Sequence, residues 1–114
     1  MITRTAIFEG RIKPGFEDRF FAEVEQRLAP LWAKFPGALG LRWFRATECD
    51  DAERPVVMIQ QVDYPNRDVM QAALTSPQRD DARAVTLELL AMFEGRFYHV
   101  VSGGDEIARS VRLG

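Results

Sequence analysis

Four stretches of the chain carry large apolar side chains on both faces, as a strand does when both sides of its sheet are covered. Around Leu39 to Thr47, Leu39, Leu41 and Trp43 point one way and Phe44 the other. Val56 and Met58 oppose Val57 and Ile59, Phe97 and Val101 oppose Tyr98 and Val100, and near the N-terminus Ala6 and Phe8 oppose Ile7. Two other stretches follow helical spacing. Phe16, Phe20, Val24, Leu28 and Leu31 form one stripe against Glu17, Asp18, Glu23, Glu25 and Gln26, while Ala82, Val85, Leu89, Met92 and Phe93 form a second. A helix with one apolar stripe covers one face of a sheet, so the second face needs another partner.

Turn and cap residues set the boundaries. The first strand is predicted from about Thr3 to Arg11, ended by Lys13-Pro14-Gly15, and Pro30 is expected to bend or end the helix that follows. Trp32 and Phe35 continue the apolar cover, and Pro36-Gly37 opens the second strand. The short connection from Asp50 to Pro55 predicts an antiparallel hairpin with the third strand, which ends near Tyr64-Pro65. Asn66 is placed to cap a short helix carrying Val69, Met70, Ala73 and Leu74, and Ser76-Pro77 to open the second main helix. Gly95 stands where a helix-terminating glycine is expected, before a last strand from Arg96 to Ser102. One domain, residues 1–104, is expected, followed by a tail, 105–114, for which two outcomes are open: Ile107, Val111 and Leu113 pack on a partner, or the tail is mobile.

The order β-α-β-β-α-β places the chain in the α+β class, as a ferredoxin-like unit with two crossover helices on one face of a four-stranded antiparallel sheet. The first and third strands are expected at the centre. The bare face then projects on the order of 400 Å², about the limit that a soluble monomer leaves exposed. A second copy facing it across a two-fold axis is the simplest cover, giving a homodimer with a barrel-like interior and an interface of about 1,200 Å² or more.

Composition narrows the chemistry. The net charge of -2 and arginines scattered among acids supply no basic stripe for nucleic acid. The single cysteine, Cys49, has no internal disulfide partner, and Asp50 and Asp51 beside it disfavour a thiolate. No signal-peptide run and no membrane-length apolar stretch is present, so a cytoplasmic location with no membrane partner is expected. One histidine and no cysteine pair make a zinc site improbable, and no glycine-rich strand-to-helix loop is present for a nucleotide. The expectation is a protein without a cofactor.

Lys13-Pro14-Gly15 before an amphipathic helix, Phe35-Pro36-Gly37 leading into the strand of Trp43, Ala72-Ala73-Leu74 with Ser76-Pro77, and Gly95 with Phe97, Tyr98 and His99 together resemble the dimeric α+β barrel superfamily. Within it the chain is most similar to the EthD-like proteins, named for ethyl tert-butyl ether degradation, and more distantly to antibiotic-biosynthesis monooxygenases. The likeness spans about Ile7 to Ser102. It implies a homodimer with a pocket between sheet and helices or in the barrel centre, binding small apolar or aromatic compounds, and some relatives are cofactor-free oxygenases or isomerases. Haem-degrading relatives carry their histidine on a helix, and the helices predicted here have none.

His99 is the one side chain that ordinarily exchanges protons near neutral pH, and it is the candidate general base or hydrogen-bond donor. The bland alternative is a packing histidine in a strand. Trp43 and Phe44 face opposite ways, so one packs on the helices and the other lines the dimer interior, each being core or a stacking wall for a ligand. Arg42 goes with Phe44 and Arg45 with Trp43. The inward arginine needs an anionic partner, either Glu9 or Asp63 or a substrate carboxylate or phenolate. Gln60 and Gln61 also diverge, with Gln61 the candidate for a ligand, and Tyr98 is the candidate to hold a developing anion. Two functions fit: a cofactor-independent monooxygenase or proton-transfer isomerase acting on a small aromatic or carbonyl compound, and a non-catalytic ligand-binding or stress-associated homodimer.

Overall fold

The computed structural model describes residues 1–104, so the expected tail and its three apolar residues lie outside the described residues. Four strands, β1 (Ile2–Ile12), β2 (Gly40–Arg45), β3 (Val56–Tyr64) and β4 (Phe93–Gly103), form one antiparallel sheet in the order β2-β3-β1-β4. The first and third strands are central, as expected. Between β1 and β2 the chain is helical from Glu17 to Trp32, and between β3 and β4 it forms α3 (Arg67–Leu74) and α4 (Pro77–Leu89). We label the first crossover segments α1 (Glu17–Glu23) and α2 (Ala29–Trp32).

The helices lie on the face presented by the even-numbered residues of β1, β3 and the odd-numbered ones of β2 and β4. Phe8 and Met58 are buried there, with Phe97 stacked on Phe8 at 5.4 Å between ring centres. Phe20, Val24 and Leu28 supply the first helical stripe, and Met70, Ala82 and Leu89 the second. An ion pair from Arg27 to Glu88 ties the two crossovers together at the surface. Asn66 and Ser76 cap α3 and α4 as their sequence predicts, accepting from the backbone N–H groups of Val69 at 2.9 Å and Arg79 at 3.2 Å.

Of the two outcomes expected at Pro30, an end is excluded: a wider turn at Val24–Leu28, with hydrogen bonds spanning five residues, accommodates the proline ring, and α2 continues through Trp32. One expectation is corrected. Gly95 does not terminate α4. The helix closes with a tight turn at Leu90–Met92, and Gly95 lies inside β4 opposite Gly10 of β1. Both have positive φ, +149° and +145°, and a Cβ at Gly95 would stand 2.1 Å from the Glu9 carbonyl oxygen. The glycine serves a close approach of two strands. The second strand is also shorter than expected, Gly40–Arg45.

Among the described residues the opposite face carries no helix. One row crosses all four strands as Phe44, Ile59, Ile7 and Tyr98. Phe44 is 50% and Val100 46% exposed. No helix among the described residues is long and apolar enough to cross a membrane.

Candidate functional site

A cavity lies between the helix-covered face and α4. Its floor is aromatic and aliphatic, including Phe8, Trp32, Phe35 and Phe97, and it leaves about 50 Å³ open to the centre of a water molecule. Swept out to a water radius of about 1.4 Å, a compact space of that size is a cavity on the order of 200 Å³, room for one ring and a small polar substituent.

Its polar groups come from three strands and one helix. The antiparallel register sets Gln60, Ala6 and His99 side by side in one row, and Val62, Arg4 and Val101 in the next. Tyr64 closes β3 on the same face, while Arg79 and Arg83, one helical turn apart on α4, look down from above. Gln60 is 5% and Tyr64 1% exposed. No side-chain nitrogen or oxygen is sealed away without a partner among the described residues, so the polar ends of these two side chains reach the cavity. Thr86 is satisfied by its own helix, donating to the Ala82 carbonyl at 2.9 Å.

His99 is half-buried and packs its ring edge-on against Phe97 at 5.7 Å. Its pKa is lowered to about 4, first by burial and then by the charges of Arg4, Arg79 and Arg83. The imidazole is therefore neutral at pH 7, able to accept a hydrogen bond at one nitrogen and donate at the other. Burial also holds the Arg4 pKa below its ordinary value, with Arg79 adding to the effect, and pushes the Tyr64 phenol up.

Of the candidate site residues from sequence, the structure brings His99 into this cavity, and of the diverging pair Gln60 and Gln61 it is Gln60, not Gln61, that lines it. Trp43 is on the helix-covered face, in one cross-strand row with Gln60, Ala6 and His99, yet Trp32 stands against it edge-on at 5.9 Å and takes the cavity wall. Arg45 is on the same face but at its far end, over the Phe21 ring at 4.5 Å and near Glu17. Arg42, Phe44, Gln61 and Tyr98 are on the opposite face. There Arg42 donates to Gln61 Oε1 at 2.7 Å and Asp63 Oδ2 at 2.8 Å, Thr3 donates to Asp63 Oδ1 at 2.6 Å, and Gln61 donates to Thr5 Oγ1 at 3.2 Å. Asp63 is thus the structural partner of the arginine, and the Arg42 hydrogen bond holds its carboxyl below the usual carboxylate range. Tyr98 cannot assist His99, because adjacent residues of a strand point to opposite faces.

Arg4, Tyr64, Arg79 and Arg83 were not singled out from sequence. A signal for Arg4 and Gln60 exists. Each interrupts the buried parity of a central strand, between Ile2 and Ala6 and between Met58 and Val62, where a long polar side chain has no place unless it borders a cavity. Arg79 and Arg83 carry no such mark, since arginines beside a buried stripe are ordinary on a surface helix.

No protein-family model and no curated protein matches the chain. Solved structures do. An EthD family protein from Bacillus halodurans superposes with a TM-score of 0.68 at 17% identity, over 92% of this chain and 99% of that one. The chain has the ferredoxin-like α+β fold. A dimeric ferredoxin-like protein of unknown function from Thermobifida fusca gives 0.64 at 19% identity over 89% and 88% of the two chains. A cofactor-independent oxygenase from Streptomyces nogalater gives 0.55 at 19% identity over 96% and 97%. The likeness extends to the whole unit, crossovers included, and it is a likeness of fold.

Proposed function

We propose that the chain forms a homodimer through its open sheet face and binds a small aromatic or carbonyl compound in the cavity between sheet and α4, where it acts without a cofactor as a monooxygenase or proton-transfer isomerase. The observation that carries this reading is the aromatic-lined cavity that the chain's one histidine borders, uncharged, beside polar groups with no ion-pair partner among the described residues. His99 accepts a proton from the ligand, and the arginines and the Tyr64 hydroxyl stabilise the anion left behind. The aromatic floor excludes water and orients the ring. A dimeric protein of the same fold supports the assembly, and a cofactor-independent oxygenase of that fold supports the class of chemistry.

One observation favours a second reading, a binding protein without turnover. A base with a pKa of about 4 is a weak proton acceptor at pH 7, and no carboxylate among the cavity residues orients or strengthens it. Small phenols, quinones and aldehydes screened by thermal shift, with turnover followed for each binder, decide between them in the His99→Gln variant. A proton carrier predicts that the variant keeps the dimer and its melting temperature within a few degrees and loses roughly 10²-fold or more in turnover. Equal binding by both proteins, with the variant destabilised by about 1 to 3 kcal/mol, removes His99 from the site.

A further inference from the structure

The charge of the cavity is one-sided. Arg4 from β1 and Arg79 and Arg83 from α4 converge on it, and none of its lining residues is an aspartate or glutamate. Every ion pair among the described residues is made by a different arginine, so these three have no carboxylate within 4 Å there. Elsewhere Arg19, Arg27, Arg42, Arg45 and Arg96 each reach an acid, and the other described arginines without an ion pair, Arg11, Arg54 and Arg67, do not line this cavity. In a chain with a net charge of -2, three cations gathered around an aromatic cavity with no counterion among the described residues are a local excess that the described fold does not require. Like charges lower one another's stability, and an anion of the right size removes that cost.

We infer that the ligand of this cavity is a small aromatic carboxylate, its ring against the aromatic floor and its carboxylate toward Arg4, Arg79 and Arg83. This assignment rests on the cavity reading above and names its substrate class. The lining offers both ends of such a ligand a partner: Phe8, Trp32, Phe35 and Phe97 supply apolar surface, while Arg4, Arg79 and Arg83 are close enough together that all three charges act on His99 and that of Arg79 on Arg4. A guanidinium presents paired donors that match the two oxygens of a carboxylate. Gln60 and Tyr64 add neutral donors from the sheet, and the volume limits the ligand to about one ring. A bound carboxylate would also offset the positive field at His99, bringing the imidazole toward its ordinary proton affinity and making it a better base than in the free protein. The charged and titratable groups around that imidazole are Arg4 on its own sheet, Arg79 and Arg83 on α4, and the Tyr64 phenol.

The test compares benzoate with its neutral isostere benzamide by titration calorimetry at fixed moderate salt, in the wild-type protein and in the Arg79→Gln/Arg83→Gln variant. Both substituted positions lie on the outer helix, and neither side chain makes an ion pair among the described residues, so the fold is kept; circular dichroism and melting verify it. Expected are one benzoate per chain, benzamide at least tenfold weaker, and a variant that loses at least tenfold in benzoate affinity while its benzamide affinity stays within about twofold. Benzoate and benzamide binding equally, with no effect of the variant, overturns the anionic assignment and leaves the cavity reading standing. Sulfate binding as tightly as benzoate overturns the aromatic part. Neither ring compound binding at millimolar concentration overturns the assignment and the cavity reading together.

Discussion

One sheet presents two faces built on opposite rules. On the helix-covered face most apolar residues of the two central strands are buried and the polar ones are left over: Gln60, Tyr64, His99 and three arginines meet at a cavity with no acid among its lining residues. On the open face the apolar residues are exposed and the polar ones are spoken for, with Arg42, Asp63, Gln61, Thr3 and Thr5 joined in one hydrogen-bonded network. A charge with a partner in its own chain completes the fold, whereas one without a partner there is available to something else. The apolar row on the open face asks for a large apolar partner. The cationic group over the cavity asks for a small anion.

The largest effect is expected where the open face is made to repel itself. Ile59 sits mid-row between Phe44 and Ile7, so Ile59→Asp places a charge near the centre of the proposed two-fold interface on each subunit. Association should weaken by at least a thousandfold toward monomer, about 4 kcal/mol, as read by light scattering after gel filtration across a concentration series. A wild-type protein that elutes as a clean folded monomer at micromolar concentration would instead show that the open face is simply exposed.

The order of strands and helices, the two-faced strands and both helix caps could be read from the sequence because each rests on local spacing: period two in strands, a stripe at helical spacing, and Asn66 or Ser76 at a cap. The site was legible only in part. His99 stood out by being the single histidine, and parity grouped it with Phe97, but which side of the sheet that pair occupied was not legible. Which face faced the helices was not written in β2, where Trp43 and Phe44 are equally large, and the structure decides it by seating Trp43 against Trp32. Arg79 and Arg83 came within reach of His99 through the docking angle of α4, a property of packing between distant segments. Gly95 was misread because a glycine after a helix and a glycine facing another glycine across two strands have the same local sequence.

Acid separates the faces by pH. His99 titrates at about 4 in the folded chain against 6.5 ordinarily, so between these values the unfolded chain binds more protons and stability falls as pH drops. The carboxyl of Asp63 is held low by Arg42, and its stabilising contribution is full above the ordinary carboxylate range and lost only as pH falls through its lower folded value. Denaturant midpoints measured from pH 7 to 3 should therefore decline in two stages. The earlier one, on the order of 1 to 2 kcal/mol after solvent screening, should vanish in His99→Gln. The later one should vanish in Asp63→Asn. An unaltered upper stage in the histidine variant would mean that His99 is not held neutral by its surroundings.

The smallest effect compares one arginine from each face. Arg42 gives up two hydrogen-bonded acceptors when replaced by glutamine, and because its side chain is 42% exposed the loss should be modest, about 1 kcal/mol. Arg4 is half-buried and has no acid partner among the described residues, and its charge is the largest electrostatic contribution to the depressed His99 pKa after burial itself. Arg4→Gln removes a repulsive cation while keeping most of the aliphatic stem, so its stability should stay within about 0.5 kcal/mol of wild type or rise. The same substitution should shift the His99 titration upward, which proton NMR of the imidazole reads directly. If Arg4→Gln destabilises the chain more than Arg42→Gln and leaves that titration in place, Arg4 is paired within the fold after all, and the difference between the two faces is one of packing alone.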